Sequence, residues 1–239
     1  MAHLVFDAVT VQYPVYGVRA RSLRSQLVRI STGGRIERES HGVQIVTALR
    51  DASFALTDGD RVGLVGHNGA GKSTLLRAMA GVYQPAAGRI ARRGRIATVF
   101  ELGAGMDREL SGYENIIRMS LLLGLDLAEI RARMADIEAF TQLGEFLSLP
   151  VRTYSTGMAT RLMFAVATST RPDILLLDEI VGTGDAAFQE QAAQRMASLI
   201  SSVGIFVFAS HDTAALKKYC KRFLRLEHGV VREVGADEI

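Results

Sequence analysis

Three short apolar runs, each ending where the chain turns polar or glycine-rich, set the frame of this sequence. They are RVGLV before GHNGAGKST, ILLL inside PDILLLDEI (172–180), and IFVF inside GIFVFASHD (204–212). Short apolar runs with no alternating polar positions predict strands covered on both faces, as in a parallel sheet. LVFDAVTVQY near the N-terminus alternates instead, which predicts an edge strand ending at Tyr13. TALRDASFAL is its expected hairpin partner, and FLRLEHGVVREVG has the pattern of a closing hairpin. Helical segments carry their own punctuation. STLLRAMA runs to a C-capping Gly81. SGYE (111–114) is a capping box opening a helix to Leu123 that Gly124 closes, and DLAE (126–129) opens another to about Phe140. YSTGMATRLMFAVAT is a strongly apolar helix ending before Pro172. Strands alternating with helices predict an α/β class.

Gly66, four residues, then Gly71, Lys72 and Ser73 is the spacing of a phosphate-binding loop. Glycines have no Cβ, so the backbone can curl until successive N–H groups face one anion. The N-terminus of the following helix adds partial positive charge. Gly66, His67, Asn68, Gly69, Ala70, Gly71, Lys72, Ser73 and Thr74 are therefore the candidate nucleotide-binding set. Lys72 is placed to reach the β- and γ-phosphates, and the Ser73 hydroxyl to take one Mg²⁺ position.

The second apolar run ends in two acids. Carboxylates at the C-terminal end of a parallel strand lie where open α/β sheets bind ligands. Asp178 is the candidate Mg²⁺ holder, and Glu179 the candidate base that orients and deprotonates an attacking water. The third run ends at His211, where an imidazole can hydrogen-bond a γ-phosphate and sense its loss.

Composition narrows the class. The chain has 239 residues, 48% hydrophobic and 22% charged, values of a globular protein able to bury a sizeable core. No run of 18 apolar residues exists, so no segment is expected to span a membrane alone. The N-terminus lacks the order of a signal peptide, and the single Cys220 rules out an internal disulfide and fits a reducing cytoplasm. A formal charge of +3 says little about partners, while a mean hydropathy of +0.16 fits either a docking surface or a large aliphatic core.

YSTGM poses the question that separates function classes. Ser155, Thr156, Gly157 and Met158 form a second anion site: a hydroxyl, a glycine N–H and a helix N-terminus. It has no nucleotide pocket of its own, which suggests service to another molecule's nucleotide.

Taken together, the motifs resemble the nucleotide-binding subunit of an ABC transporter. GHNGAGKST is similar to its Walker A, ILLLDE to its Walker B, YSTGM to its signature, GTGD (182–185) to its D-loop, and His211 to its switch histidine. Within that superfamily, YSTGM in place of LSGGQ, Glu101 in FELGAGM at the usual glutamine position, and GDAAFQE resemble the ATPase subunits of bacterial O-antigen, capsule and teichoic-acid exporters. The resemblance implies one ABC ATPase domain over 1–239. It implies a phosphate-loop α/β core, an antiparallel β layer and a helical subdomain at about 106–153. It implies ATP and Mg²⁺, and a head-to-tail homodimer in which each nucleotide lies between Walker A of one chain and Ser155 and Gly157 of the other. Asp185 joins the nucleotide set through the D-loop. Glu101 either sits close to Mg²⁺ or relays contact to a membrane subunit. A separate integral-membrane permease, a lipid-linked glycan substrate and a place on the cytoplasmic face of the bacterial inner membrane follow from the same likeness, with no nucleic acid.

An aromatic at Tyr13 stacks on adenine in the family, with Tyr16 as rival and core packing as the plainer reading. Residues 17–44 interrupt the expected hairpin and carry six arginines between Arg19 and Arg38. They are either a solvated loop or a basic surface for lipid headgroups or a substrate diphosphate. Competing functions are export of another substrate and a regulatory cassette without transport. DNA-acting relatives insert long coiled coils between the two phosphate sites, and only 82 residues lie between Lys72 and Ser155.

Overall fold

The computed structural model describes residues 1–15, 36–38, 44–99, 103, 105–179 and 186–239. The expectations for Tyr16, Glu101, Asp185 and most of the 17–44 insertion lie outside the described residues. The chain divides into two compact units: Met1–Gly94 with Leu176–Glu179 and Gly204–Ile239, and Arg95–Leu175 with Ile180–Val203.

The first unit holds strands β1 (His3–Val15), β2 (Ile36–Arg38), β3 (Gln44–Thr57), β4 (Arg61–Val65) and β5 (Ala87–Arg93). β1, β2, β3 and β5 form an antiparallel sheet in the order β2-β3-β1-β5. β1 is thus an interior strand, not the edge strand its alternation predicts. Alternation reports one wet face, and a one-sided sheet imposes that on interior and edge strands alike. The pattern also changes parity, from buried Leu4 and Phe6 to buried Val9 and Val11. The pairing register shifts between Phe6 and Val9, with Ala8 at φ +47°, so one extra residue turns the strand over.

Further along lie helix α1 (Lys72–Ala80) and, in the second unit, β6 (Ile96–Thr98). β7 (Ile174–Asp178) crosses from the second unit into the first, and β8 (Ile205–Ala209), β9 (Arg222–Glu227) and β10 (Val230–Val234) complete the first. Its second sheet runs β10-β9-β4-β8-β7, with β4 parallel to both β8 and β9 and the β9–β10 hairpin antiparallel. Ile174 to Leu177 and all of β8 are buried, as their apolar runs predict. All three runs therefore end on one sheet, which brings Gly66, Asp178 and His211 to its C-terminal edge.

The second unit is mainly helical: α2 (Gly112–Leu122), α3 (Leu127–Thr141), α4 (Thr156–Thr168) and α5 (Ala186–Ser202), with short 3-10 helices at Gly144–Ser148 and Val151–Thr153. Both expected capping boxes form, Ser111 with Glu114 and Asp126 with Glu129. Phe140, Phe164 and Phe188 pack with ring centroids 5.7–6.1 Å apart, and Arg195 lies over Phe140 while pairing with Asp136. Helix α6 (Thr213–Tyr219) belongs to the first unit and is N-capped by Asp212.

Candidate active site

β4 delivers the chain to Gly66, and the loop that follows is shaped by glycines at two positions. A Cβ on Gly66 would fall 2.5 Å from the Leu226 carbonyl oxygen, and one on Gly71 2.9 Å from that of Ala48. Gly71 also holds φ +114°, which L side chains rarely adopt. Ala70 is buried, and its N–H donates to His67 O at 3.0 Å. Asn68 and Gly69 are exposed at the tip. Thr74 is half-buried in the first turn of α1.

Lys72 is buried, and its Nζ donates to the carbonyl oxygens of Gly66 (2.6 Å) and His67 (3.4 Å). Burial pulls its pKa below the ordinary lysine value, and the carboxylates of Asp178 and Glu179 oppose that shift. The ammonium is therefore held inside the curl of its own loop, where backbone oxygens take the contacts an anion's oxygens would compete for. Ser73 Oγ donates to Asp178 Oδ2 at 2.7 Å. The two predicted cation-holding side chains thus meet directly, although 105 residues separate them.

Glu179 directly follows β7. Its N–H donates to Ala209 O at 2.9 Å and its φ is +58°, a left-handed backbone rare outside glycine. That turn aims the carboxylate away from the strand and leaves it exposed, with Oε1 3.8 Å from His211 Nε2. The first unit therefore brings together Lys72, Ser73, Asp178, Glu179 and His211. Tyr13 stands near the end of β1 opposite Val46, with its ring 6.3 Å from that of Tyr83. It is 38% exposed, so it is not a core residue.

Ser155 caps α4, its Oγ accepting from Met158 N–H at 3.2 Å. Thr156 is exposed, and Gly157 and Met158 are half-buried. A Cβ on Gly157 would meet nothing closer than Ser155 Oγ at 3.9 Å, and its φ lies outside the left-handed range. Among the described residues, this glycine is required neither by its backbone nor by packing.

Several supporting residues carry no motif. Arg92 reaches the carbonyls of Ala78 and Met79 at the end of α1, from 13 and 14 residues away. Asn115 is fully buried, donates to Asp107, Leu110 and Ser111 carbonyls and accepts from Asp107 N–H. An asparagine among apolar residues after a capping box was the available signal for it. His228, whose ring is 5.6 Å from that of His67, comes from the β9–β10 turn and leaves no local trace. Along α2, Ile117, Leu121 and Leu122 stay exposed and line a groove with Leu110, Glu114 and Arg118.

The family model described as ABC transporter matches residues 49–182. The O-antigen export system ATP-binding protein RfbE of Yersinia enterocolitica is 61% identical over 237 residues, covering 99% of each chain. The teichoic acids export ATP-binding protein TagH of Listeria innocua is 34% identical, over 97% of this chain and 66% of that protein. In fold, the chain is similar to a dimeric ATP-binding cassette solved in a post-hydrolysis state with ADP and Pi, with a TM-score of 0.67, 21% identity and 98% of each chain covered.

Proposed function

The chain belongs to the ABC transporter family, and from that premise we propose that it is the ATPase that powers export of a lipid-linked, O-antigen-like polysaccharide. The observation that carries this reading is the end-to-end likeness to an O-antigen export ATP-binding protein, 61% over 99% of both chains. The teichoic acids export relative extends the likeness to a second export system. ATP hydrolysis is the activity of the family, and the first unit holds the groups it needs.

In the proposed mechanism, ATP lays its triphosphate over the loop 66–74. Lys72 exchanges its contacts with Gly66 and His67 carbonyls for β- and γ-phosphate oxygens. Tyr13 offers an exposed ring to adenine. Ser73 and Asp178 fit Mg²⁺, since their oxygens already lie 2.7 Å apart and this ion usually keeps waters and phosphates for its remaining positions. Mg²⁺ held by Ser73 and Asp178 would supply positive charge to offset the negative charge of the phosphates. Glu179 accepts a proton from the attacking water, and His211, 3.8 Å from it, contacts the γ-phosphate side. For Glu101, close to Mg²⁺ or relaying contact to the membrane subunit, and for Asp185 of the D-loop, the resemblance of their motifs alone supports a role.

The signature turn supplies the other half of the reading. A helix glycine costs roughly 0.5–1 kcal/mol relative to alanine, and nothing among the described residues requires Gly157. Open space over an N-terminal N–H and a serine hydroxyl suits the γ-phosphate of a nucleotide held by a second copy. Homodimer closure on ATP and reopening after hydrolysis follow, because ATP favours the closed state by its extra contacts. The exposed Ile117, Leu121 and Leu122 on α2 suit an integral-membrane permease. Among the described residues no helix is long and apolar enough to cross a membrane. In this reading the chain attaches to the cytoplasmic face of the inner membrane through that subunit.

The test is genetic and chemical. Deleting the gene should leave lipid-linked glycan inside the cell and none on the surface. The wild-type chain should restore display, and Glu179→Gln should not. Surface glycan unchanged after deletion would remove the export reading and leave an ATPase of another role.

A further inference from the structure

The residue before the signature serine is a tyrosine, and its phenol has more partners than packing alone requires. Tyr154 Oη donates to Phe146 O at 2.7 Å. The same oxygen lies against Gly112, whose N–H pulls on it electrostatically. Gly112 is the first residue of α2, and its N–H is one of those a helix cannot satisfy internally. The fit is close: a Cβ on Gly112 would lie 2.4 Å from Tyr154 Oη and 2.9 Å from Leu147 Cδ2. The glycine of SGYE is thus what lets the phenol reach the helix end. The main chain of Tyr154 is held as well, its N–H donating to Val151 O at 3.0 Å. Burial pushes the phenol's pKa up, so it stays a neutral donor.

We propose that Tyr154 is a positioning residue for ATP hydrolysis: its phenol ties the 3-10 helix Gly144–Ser148 and the N-terminus of α2 to the turn that presents Ser155. Residue 154 is extended, with φ −78° and ψ 145°, and Ser155 follows it directly. Fixing the side chain and the N–H of Tyr154 together sets the direction in which Ser155 and the first N–H groups of α4 point. α2 also carries the exposed Ile117, Leu121 and Leu122, so a displacement of that helix reaches Ser155 through one phenol oxygen. This inference rests on the reading that Ser155 meets a nucleotide held by a second copy.

The experiment is a double-mutant cycle on steady-state ATP hydrolysis by the full-length chain. Tyr154→Phe keeps the ring and removes the hydrogen bond to Phe146 O, worth about 0.5–1.5 kcal/mol, together with the polar contact to the Gly112 N–H. It should lower kcat roughly 3- to 10-fold while KM for ATP moves less than twofold, since Walker A lies in the other unit. Gly112→Ala, which displaces the phenol, should give the same split. In a Ser155→Ala background neither change should lower kcat further, because the group being positioned is gone. If Ser155→Ala alone leaves kcat unchanged, the signature reading fails and the inference with it. If Ser155→Ala is impaired but Tyr154→Phe is not, or if the two factors multiply, Ser155 stands and the positioning role of Tyr154 is overturned.

Discussion

The two helix N-termini that we propose as anion sites are built in opposite ways. The loop entering α1 is closed: Gly66 and Gly71 are required by carbonyls within 3 Å of where a side chain would begin, and Lys72 is folded into the curl. The turn entering α4 is open: Gly157 faces space, Ser155 is exposed, and residues 154–158 contain no lysine or carboxylate. A closed site with its own cation can bind a triphosphate alone. An open site of neutral donors adds contacts to a phosphate that something else has already brought. In the proposed reading, this division of labour makes hydrolysis depend on assembly and lets one nucleotide report on the proximity of two chains.

The sharpest way to break that contrast is at the base. Glu179→Gln should lower kcat by about 10²–10⁴-fold while ATP binding persists. Size-exclusion chromatography with Mg-ATP should then show a trapped dimer that EDTA dissolves. Asp178→Asn should lose hydrolysis without the trap. Hydrolysis at the wild-type rate in Glu179→Gln would show that the base lies elsewhere.

Next comes the pair of glycines. Gly71→Ala should abolish ATP binding and lower Tm, since both φ and space forbid the new methyl. Gly157→Asp should leave ATP binding to the monomer intact and reduce turnover more than tenfold, because its carboxylate would face the γ-phosphate of the partner's nucleotide. Similar binding curves for the two variants would erase the distinction between the sites.

Ser155→Ala tests the open site more gently. Loss of the cap on Met158 N–H should cost about 1 kcal/mol of stability, read by urea denaturation, with no change in ATP affinity of the monomer. A weakened monomer affinity would mean that the turn acts on its own chain's nucleotide.

The smallest effect is one of pH on the helix that the open site leans on. Glu114 accepts from Ser111 N–H and Oγ, and these bonds hold its carboxyl below the ordinary value of 4.5. Its contribution to α2 is present above that value and is lost as pH falls through the lower folded one. Glu114→Gln should therefore flatten the acid side of the Tm profile slightly and leave pH 7 little changed. A mutant profile as steep as wild type would assign the acid loss to other carboxylates.

Much of this was legible from local pattern. Buried strands announce themselves as unbroken apolar runs, and β4, β7 and β8 did so because a parallel sheet covers both of their faces. Capping boxes are contiguous in sequence, so the starts of α2 and α3 could be read to the residue. β1 misled in two respects. Its alternation could not distinguish interior from edge, since β5 adds 72 residues later and pairs through backbone groups that every residue has. Its change of parity at Ala8 depends on a bulge, which no side-chain pattern encodes.

What the sequence by itself determined is the chemistry available: a glycine-spaced loop, its lysine, an acid pair after one strand and a histidine after another. Each signal lies within a few residues, and local backbone preference is enough to express it. What only the tertiary structure decided is which of these groups meet. Ser73 finds Asp178 across 105 residues, Glu179 finds His211 across 32 because neighbouring strands end together, and Tyr154 reaches Gly112 only because that residue has no side chain. Those contacts are made by strand order and close approach, quantities that depend on the whole packed core and on no single stretch of it.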